Sequence, residues 1–192
     1  MHKVLIYSTL NSSPWAGSEE LWYKMAISLL SFEVSISVFI KQWPVRYPKI
    51  IELERLGARI IERTNETTLE KLKNRVLKEE REAEWLKKIK RENHDLVVLS
   101  QGSYQDGYRI GLQLKNAGIR YVIITQAAAD TWWATDEKVK NLRDIFSGAS
   151  KTYFVSDANR QTIEFQMGTI LANAEVVFNP FNVKHNETVE YP

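Results

Sequence analysis

Three short stretches carry side chains suited to holding a ligand. The first is Ser8-Thr9-Leu10-Asn11-Ser12-Ser13-Pro14-Trp15-Ala16-Gly17-Ser18-Glu19, a polar run whose Gly17 stands where a helical pattern begins. Free backbone N–H groups at a helix N-terminus attract an anion such as phosphate, and a glycine lets it come close. A plain strand-to-helix turn fits the same residues, with Glu19 and Glu20 complementing the helix dipole and opposing a phosphate. The second stretch, Gln101-Gly102-Ser103-Tyr104-Gln105-Asp106-Gly107, joins two glycines to small polar groups that suit a hydroxyl-rich ligand. It also reads as a tight turn with Asp106 as helix N-cap. The third, Gln126-Ala127-Ala128-Ala129-Asp130-Thr131-Trp132-Trp133, sets aromatic faces beside an amide and a carboxylate, the combination that sugar binding uses. Its two tryptophans equally suit a satellite core at the sheet edge.

Much other chemistry is excluded. None of the 192 residues is a cysteine, which removes disulfides, thiolate zinc sites, iron–sulfur clusters and a cysteine nucleophile. His2, His94 and His185 share no metal-ligand spacing, and no Asp-x-Asp pair is present, so no metal site is expected. There is no Gly-x-Gly-x-x-Gly, no Walker lysine, no Ser-x-x-Lys and no Gly-x-Ser-x-Gly. With 26 basic against 24 acidic residues the net charge is +2, too small for a nucleic-acid footprint. The apolar runs fall far short of a membrane span, and Met1–Tyr7 has no signal-peptide pattern, so a cytoplasmic protein is expected and the sequons at Asn11, Asn65 and Asn186 are read as chance.

The three stretches sit between elements that must position them. Val4–Tyr7, Val34–Ile40, Ala58–Ile61, Asp95–Ser100, Tyr121–Thr125, Thr152–Val155 and Glu175–Phe178 read as strands. Ser18–Ser31, Pro48–Leu56, Gly107–Asn116, Asp136–Phe146 and Asn159–Met167 read as helices between them. Residues 66–92, with nine basic and seven acidic side chains, read as one long exposed amphipathic helix, packed by its apolar stripe or serving a membrane surface or partner. Strands apolar throughout, alternating with helices, predict an α/β fold: a doubly wound, Rossmann-like parallel sheet of about seven strands with helices on both faces. In such sheets ligands bind beyond the carboxyl ends of the strands, where the three stretches lie. From Asn179 onward the chain turns polar and proline-bounded, as a linker does.

Four segments resemble a known family. Lys3–Tyr7 followed by Ala16-Gly17-Ser18-Glu19 is similar to its first strand and Gly-Gly-Ala-Glu turn. Gln126–Trp133 with Asp136-Glu137 is similar to a Gln-Ala-Asn-x-x-Trp-Trp-Pro-x-Asp stretch. Phe154-Val155-Ser156-Asp157-Ala158-Asn159-Arg160 and Gln166-Met167-Gly168 through Asn179-Pro180-Phe181-Asn182-Val183 match two more. Together they resemble the N-terminal domain of GT-B-fold glycosyltransferases of the retaining family-four type. The resemblance implies residues 1–179 as a Rossmann-like acceptor-side domain and 180–192 as an interdomain linker, with the donor-binding domain, and its Glu-x₇-Glu motif, absent from the chain. It implies transfer of a sugar from a nucleotide-sugar, taken as co-substrate with no further cofactor and no metal. The acceptor would be a glycan, a lipid-linked or a small molecule, a membrane surface being a further possible partner. Gly17 and Ser18 would meet the donor diphosphate. Gln101, Gly102, Ser103, Asp130, Trp132 and Trp133 would line the acceptor or sugar site. Gln126 takes the catalytic position, where many relatives carry a histidine; an amide there hydrogen-bonds but is no general base. Ala16 departs from the first glycine of the turn. Without its second domain such a chain would catalyse little. Two other readings stand beside it. One is a flavodoxin-like FMN or nucleotide module using Ser8–Ser13, though that run lacks a glycine. The other is an interaction domain using the 66–92 helix.

Overall fold

The computed structural model describes residues 2–63, 86–87 and 89–180. In chain order come β1 (Lys3–Ser8), α1 (Gly17–Ser31), β2 (Ser35–Lys41), α2 (Pro48–Arg55), β3 (Arg59–Arg63), β4 (Leu96–Ser103), α3 (Tyr108–Asn116), β5 (Tyr121–Ala127), α4 (Asp136–Gly148), β6 (Thr152–Phe154), α5 (Asp157–Met167) and β7 (Ala174–Val176). The strands form one seven-stranded sheet in the order β3-β2-β1-β4-β5-β6-β7. Every pairing is parallel, with Val4 abreast of Ile36 on one side and of Leu96 on the other.

The near-continuous burial of β1 follows from helices on both faces. Successive side chains of a strand point to opposite faces. Val4, Ile6, Ile36, Val38, Val98 and Ile124 pack with Trp22, Tyr23 and Ala26 of α1 and with Ile50 and Leu53 of α2. Leu5, Tyr7, Val97, Leu99, Tyr121 and Ile123 pack with Leu114 of α3, Leu142, Ile145 and Phe146 of α4, and Ile163 and Met167 of α5. Local signals set the helix ends. Pro48 opens α2, the Ser156 hydroxyl accepts the Asn159 N–H at 3.1 Å to cap α5, and Gly168 closes α5 in the left-handed conformation, φ 60°.

Several boundaries differ from the sequence expectation, β2 and β3 running on to Lys41 and Arg63 among them. β4 and β5 run on to Ser103 and Ala127, because the ladder continues through Gln101 abreast of Thr125 and Ser103 abreast of Ala127. Gln101, Gly102, Ser103 and Gln126 therefore lie on strand ends rather than in loops. Asp106 does not cap α3. Its carboxylate turns back to accept the Ser103 N–H at 2.8 Å, and Gly107 holds the N-cap position without a side-chain bond. Of the 66–92 helix, residues 66–85 and 88 lie outside the described residues; 86–87 and 89–92 are helical, and Ile89 is buried against the Leu5 side of the sheet. The expected linker, apart from Pro180, also lies outside the described residues. Among the described residues no helix is long and apolar enough to cross a membrane.

Close approach demands glycine at the N-cap of α3 and at one place within it. A Cβ on Gly107 would sit 2.5 Å from Gln101 Oε1 and 2.8 Å from Leu99 Cδ2, and one on Gly111 would sit 2.5 Å from Ile145 Cγ2. Gly107→Ala should therefore cost about 1–3 kcal/mol through overpacking, read as a lowered urea midpoint at unchanged slope. A wild-type midpoint would show that Leu99 and Gln101 yield without strain.

Candidate functional site

The strand order reverses between β1 and β4, because the chain leaving β1 enters α1 on one face and the chain leaving β4 enters α3 on the other. A cleft of about 700 Å³ opens at that switch point. Thr9, Leu10, Asn11, Ser12 and Ser18 form one wall; Gly102, Ser103, Gln105 and Asp106 form the second; Ala127 and Trp132 form the third. The lining is mostly hydroxyls, amides and backbone, with Asp106 the one charged side chain and that one tied to Ser103 through Oδ2 at 2.8 Å and Oδ1 at 3.1 Å.

The residues marked out by the sequence divide among several surroundings. Ser18, Gly102, Ser103 and Trp132 line the cleft. Gly17 begins α1 beside Ser18, with nothing within 4 Å of where a Cβ would stand, so the fold makes no demand for glycine there. Gln101 is buried, and both ends of its amide are engaged: Nε2 donates to Thr125 Oγ1 at 2.9 Å and Oε1 accepts the Gly107 N–H at 3.0 Å. It fixes the end of β4 to β5 and to the start of α3. Gln126 is half-buried, and neither its amide nitrogen nor its amide oxygen has a partner. Its backbone carbonyl accepts from Asn159 Nδ2 at 3.0 Å. By strand alternation Gln126 lies on the α1 side of the sheet with Gly102 abreast of it, so no side chain of β4 stands between them. Asp130 and Trp133 line a second pocket, against α5. The tryptophans are no satellite core, being 42% and 58% exposed.

The two acidic residues of α1 are held so that little negative charge faces the cleft. Glu20 is paired with Lys49 Nζ at 2.5 Å and accepts Trp15 Nε1–H at 2.7 Å. Burial alone would raise its carboxyl, but those two partners hold it below its ordinary value. Glu19 is only 4% exposed, and burial pushes its carboxyl up against the opposing pull of Ser8, Ser18 and the more distant Arg63. The objection that carboxylates repel a phosphate at the start of α1 is thus weakened by the ion pair on one and the burial of the other.

Sequence reasoning missed the supports behind the cleft. Lys41, the last residue of β2, donates to the Asn11 carbonyl at 2.7 Å. Arg63, the last of β3, donates to the Ser8 carbonyl at 2.7 Å and lies over the Tyr7 and Phe39 rings. A basic residue closing each of two neighbouring parallel strands was the available signal, since both must emerge at the carboxyl edge. On the other wall the Trp132 carbonyl accepts from Tyr104 Oη at 2.8 Å and Gln105 Nε2 at 3.0 Å, which holds the loop after β5 against the turn that leads into α3. Among the described residues no three His, Asp or Glu side chains are placed to hold a metal ion.

No protein-family model matches the chain, and no curated protein matches it. Solved structures share its fold. HepE of Anabaena, in complex with UDP and glucose, aligns over 94% of this chain and 45% of its own length with a TM-score of 0.59 at 14% identity. A glycosyltransferase from Rickettsia africae aligns over 92% of this chain and 42% of its own, with a TM-score of 0.60 at 16% identity. UGT2 of Phytolacca americana, complexed with UDP-2-fluoro-glucose and pterostilbene, aligns over 98% and 55% respectively, at 0.52 and 10%. The chain thus spans about half the length of these structures. At such identities the likeness establishes the Rossmann-like α/β fold they share.

The buried Glu19 gives a titration test. A carboxyl whose folded pKa is raised binds its proton more tightly in the native state, so it costs stability as pH rises through the folded value. Glu19→Gln should therefore gain on wild type in thermal melts as pH is raised from about 4 to 7. A difference constant across that range would show that Glu19 titrates as it does in the unfolded chain.

Proposed function

We propose that this chain is the acceptor-side, N-terminal half of a GT-B glycosyltransferase of the retaining family-four type, transferring a sugar from a nucleotide-sugar to an acceptor. The observation that carries the reading is the cleft at the β1/β4 switch point, furnished with hydroxyl and amide side chains, in a fold shared with a structure named as a glycosyltransferase and with HepE in complex with UDP-glucose. The match over about half of each neighbour supports a second, donor-binding domain closing over this edge of the sheet.

Each residue then has a task. The backbone N–H groups of Gly17 and Ser18, at the start of α1, meet the donor diphosphate as its leaving charge develops. The open space at Gly17 supports this role, because the fold itself leaves the position unconstrained. Gln126 offers an amide donor and acceptor without protein partners, fit to orient a sugar hydroxyl but not to remove a proton. Gly102, Ser103 and Trp132 shape the acceptor side. Closure by the second domain would exclude water and align donor with acceptor. The reaction needs no resident cofactor or metal in this reading. The protein works in the cytoplasm, free or at a membrane surface.

The test uses the protein with its donor-binding domain. A panel of nucleotide-sugars should include one from which it releases nucleoside diphosphate and transfers the sugar; release from none would refute the reading. In the active protein Gly17→Val should lower transfer on the order of 10²-fold by displacing the diphosphate. It should leave stability within about 0.5 kcal/mol, as surface substitutions do. Wild-type turnover in that variant would remove the diphosphate role from Gly17.

A further inference from the structure

Trp132 and Trp133 are adjacent in sequence yet serve different cavities. Trp132 lines the main cleft. Trp133 lines a separate pocket of about 290 Å³ between the 127–133 loop and α5, together with Asp130, Gln161, Thr162, Phe165 and Gln166. This second pocket is at the small end of ligand-binding sizes and has room for one sugar ring.

Its chemistry is specific. Trp133 and Phe165 meet edge to face with centroids 5.9 Å apart, and they are 58% and 74% exposed, so they present an apolar wall to the outside. Gln166 is only 5% exposed. Its Nε2 donates to the Ala129 carbonyl at 2.8 Å, which fixes the amide and leaves Oε1 buried without a donor. A buried acceptor left unpaired is costly, and a ligand hydroxyl would relieve it. Asp130 adds a carboxylate acceptor on the same rim, and none of the six lining residues is cationic. The site therefore asks for a ligand that donates several hydrogen bonds, carries no negative charge and shows one apolar face. A pyranose ring, with hydroxyl donors at its edge and C–H groups on its face, meets all three conditions. An anionic group fails the charge condition, with the Asp130 carboxylate on the rim and no cation in the lining.

We propose that this second pocket holds one sugar unit of an oligosaccharide acceptor whose reacting end lies in the main cleft. The inference rests on the glycosyltransferase reading for the word acceptor, and it narrows the acceptor class from any glycan, lipid-linked or small molecule to an extended, neutral saccharide. The loop carrying Trp132 and Trp133 is the ridge over which that chain passes. Asp130 and Gln166 accept from ring hydroxyls, and Trp133 stacks on the apolar face.

Binding can be tested without turnover. The full chain is titrated with cellotetraose, maltotetraose and chitotetraose, followed by tryptophan fluorescence and saturation-transfer NMR. At least one tetrasaccharide should bind, and more tightly than its monosaccharide. Trp133→Ala should weaken it by about tenfold or more, and Asp130→Ala by about fivefold. Both side chains are exposed, so an unchanged melting temperature will verify that the variants fold. Binding by none of the three, or a loss with Trp132→Ala and none with Trp133→Ala, overturns the proposal. So does displacement of the saccharide from the pocket by choline, which would mark a cation site instead. The larger reading fails separately. Trp133-dependent saccharide binding by a two-domain protein that transfers no sugar would keep the pocket and remove the acceptor role. Transfer with an acceptor KM unchanged by Trp133→Ala would do the reverse.

Discussion

β1 and β4 lie hydrogen-bonded side by side and parallel, but from β1 the chain moves outward to β2 and from β4 it moves the opposite way to β5, so crossovers of one hand carry the two exits to different faces of the sheet. The connections out of β1 and β4 therefore part company, and a crevice has to open where they do. Everything placed at the carboxyl edge follows from that parting. The start of α1 and the turn into α3 become facing walls, and the loop out of β5 becomes the third. The continuous apolar run Val4-Leu5-Ile6-Tyr7 lets β1 take helices on both faces, and helical crossovers between successive strands make the pairing parallel, so the cleft follows from that run and its neighbours.

Two buried carboxylates at the start of a helix would be a strange foundation for an anion site if they were bare. They are not. Lys49 and Trp15 hold the Glu20 carboxylate from the α2 side, with Trp15 in turn stacked on Tyr47 at 4.8 Å. Glu19 is buried beneath, bonded to Ser18 at 3.3 Å. The positive end of α1 is thereby left facing outward while its negative charges face the scaffold. Lys41 and Arg63 reinforce this arrangement by gripping the carbonyls of Asn11 and Ser8. The cations serve the loop's shape.

The fold was largely legible because apolar blocks of four to seven residues, punctuated by Gly57, Gly118 and the polar runs, allow few other arrangements. The ends of β4 and β5 were not. Gln101, Gly102, Ser103 and Gln126 are polar or small and look like loop. They remain strand because Gln101 can bond Thr125 across the ladder and Gly107 in the following turn, information held in three distant positions at once. The site was legible as a set of loops but not as a set of directions. Nothing in the pair Trp132-Trp133 tells which cavity each ring will face. That is decided by Tyr104 and Gln105 on one side and by Phe165 and Gln166 on the other.

The glycines of the carboxyl edge answer to different masters. At Gly107 and Gly111 a single methyl group would collide with neighbours in the protein's own interior, whereas at Gly17 it would meet only open space. Drift among descendants of this chain should treat them accordingly. Gly107 and Gly111 are tied to the packing and will persist in any lineage that keeps the architecture, whatever it has come to bind. Gly17 is tied to no packing, so under the diphosphate role proposed for it a branch that abandoned the ligand would be free to shed it early. On that proposal the residue at position 17 in a distant cousin is a record of occupation, legible even where the rest of the sequence has diverged beyond recognition.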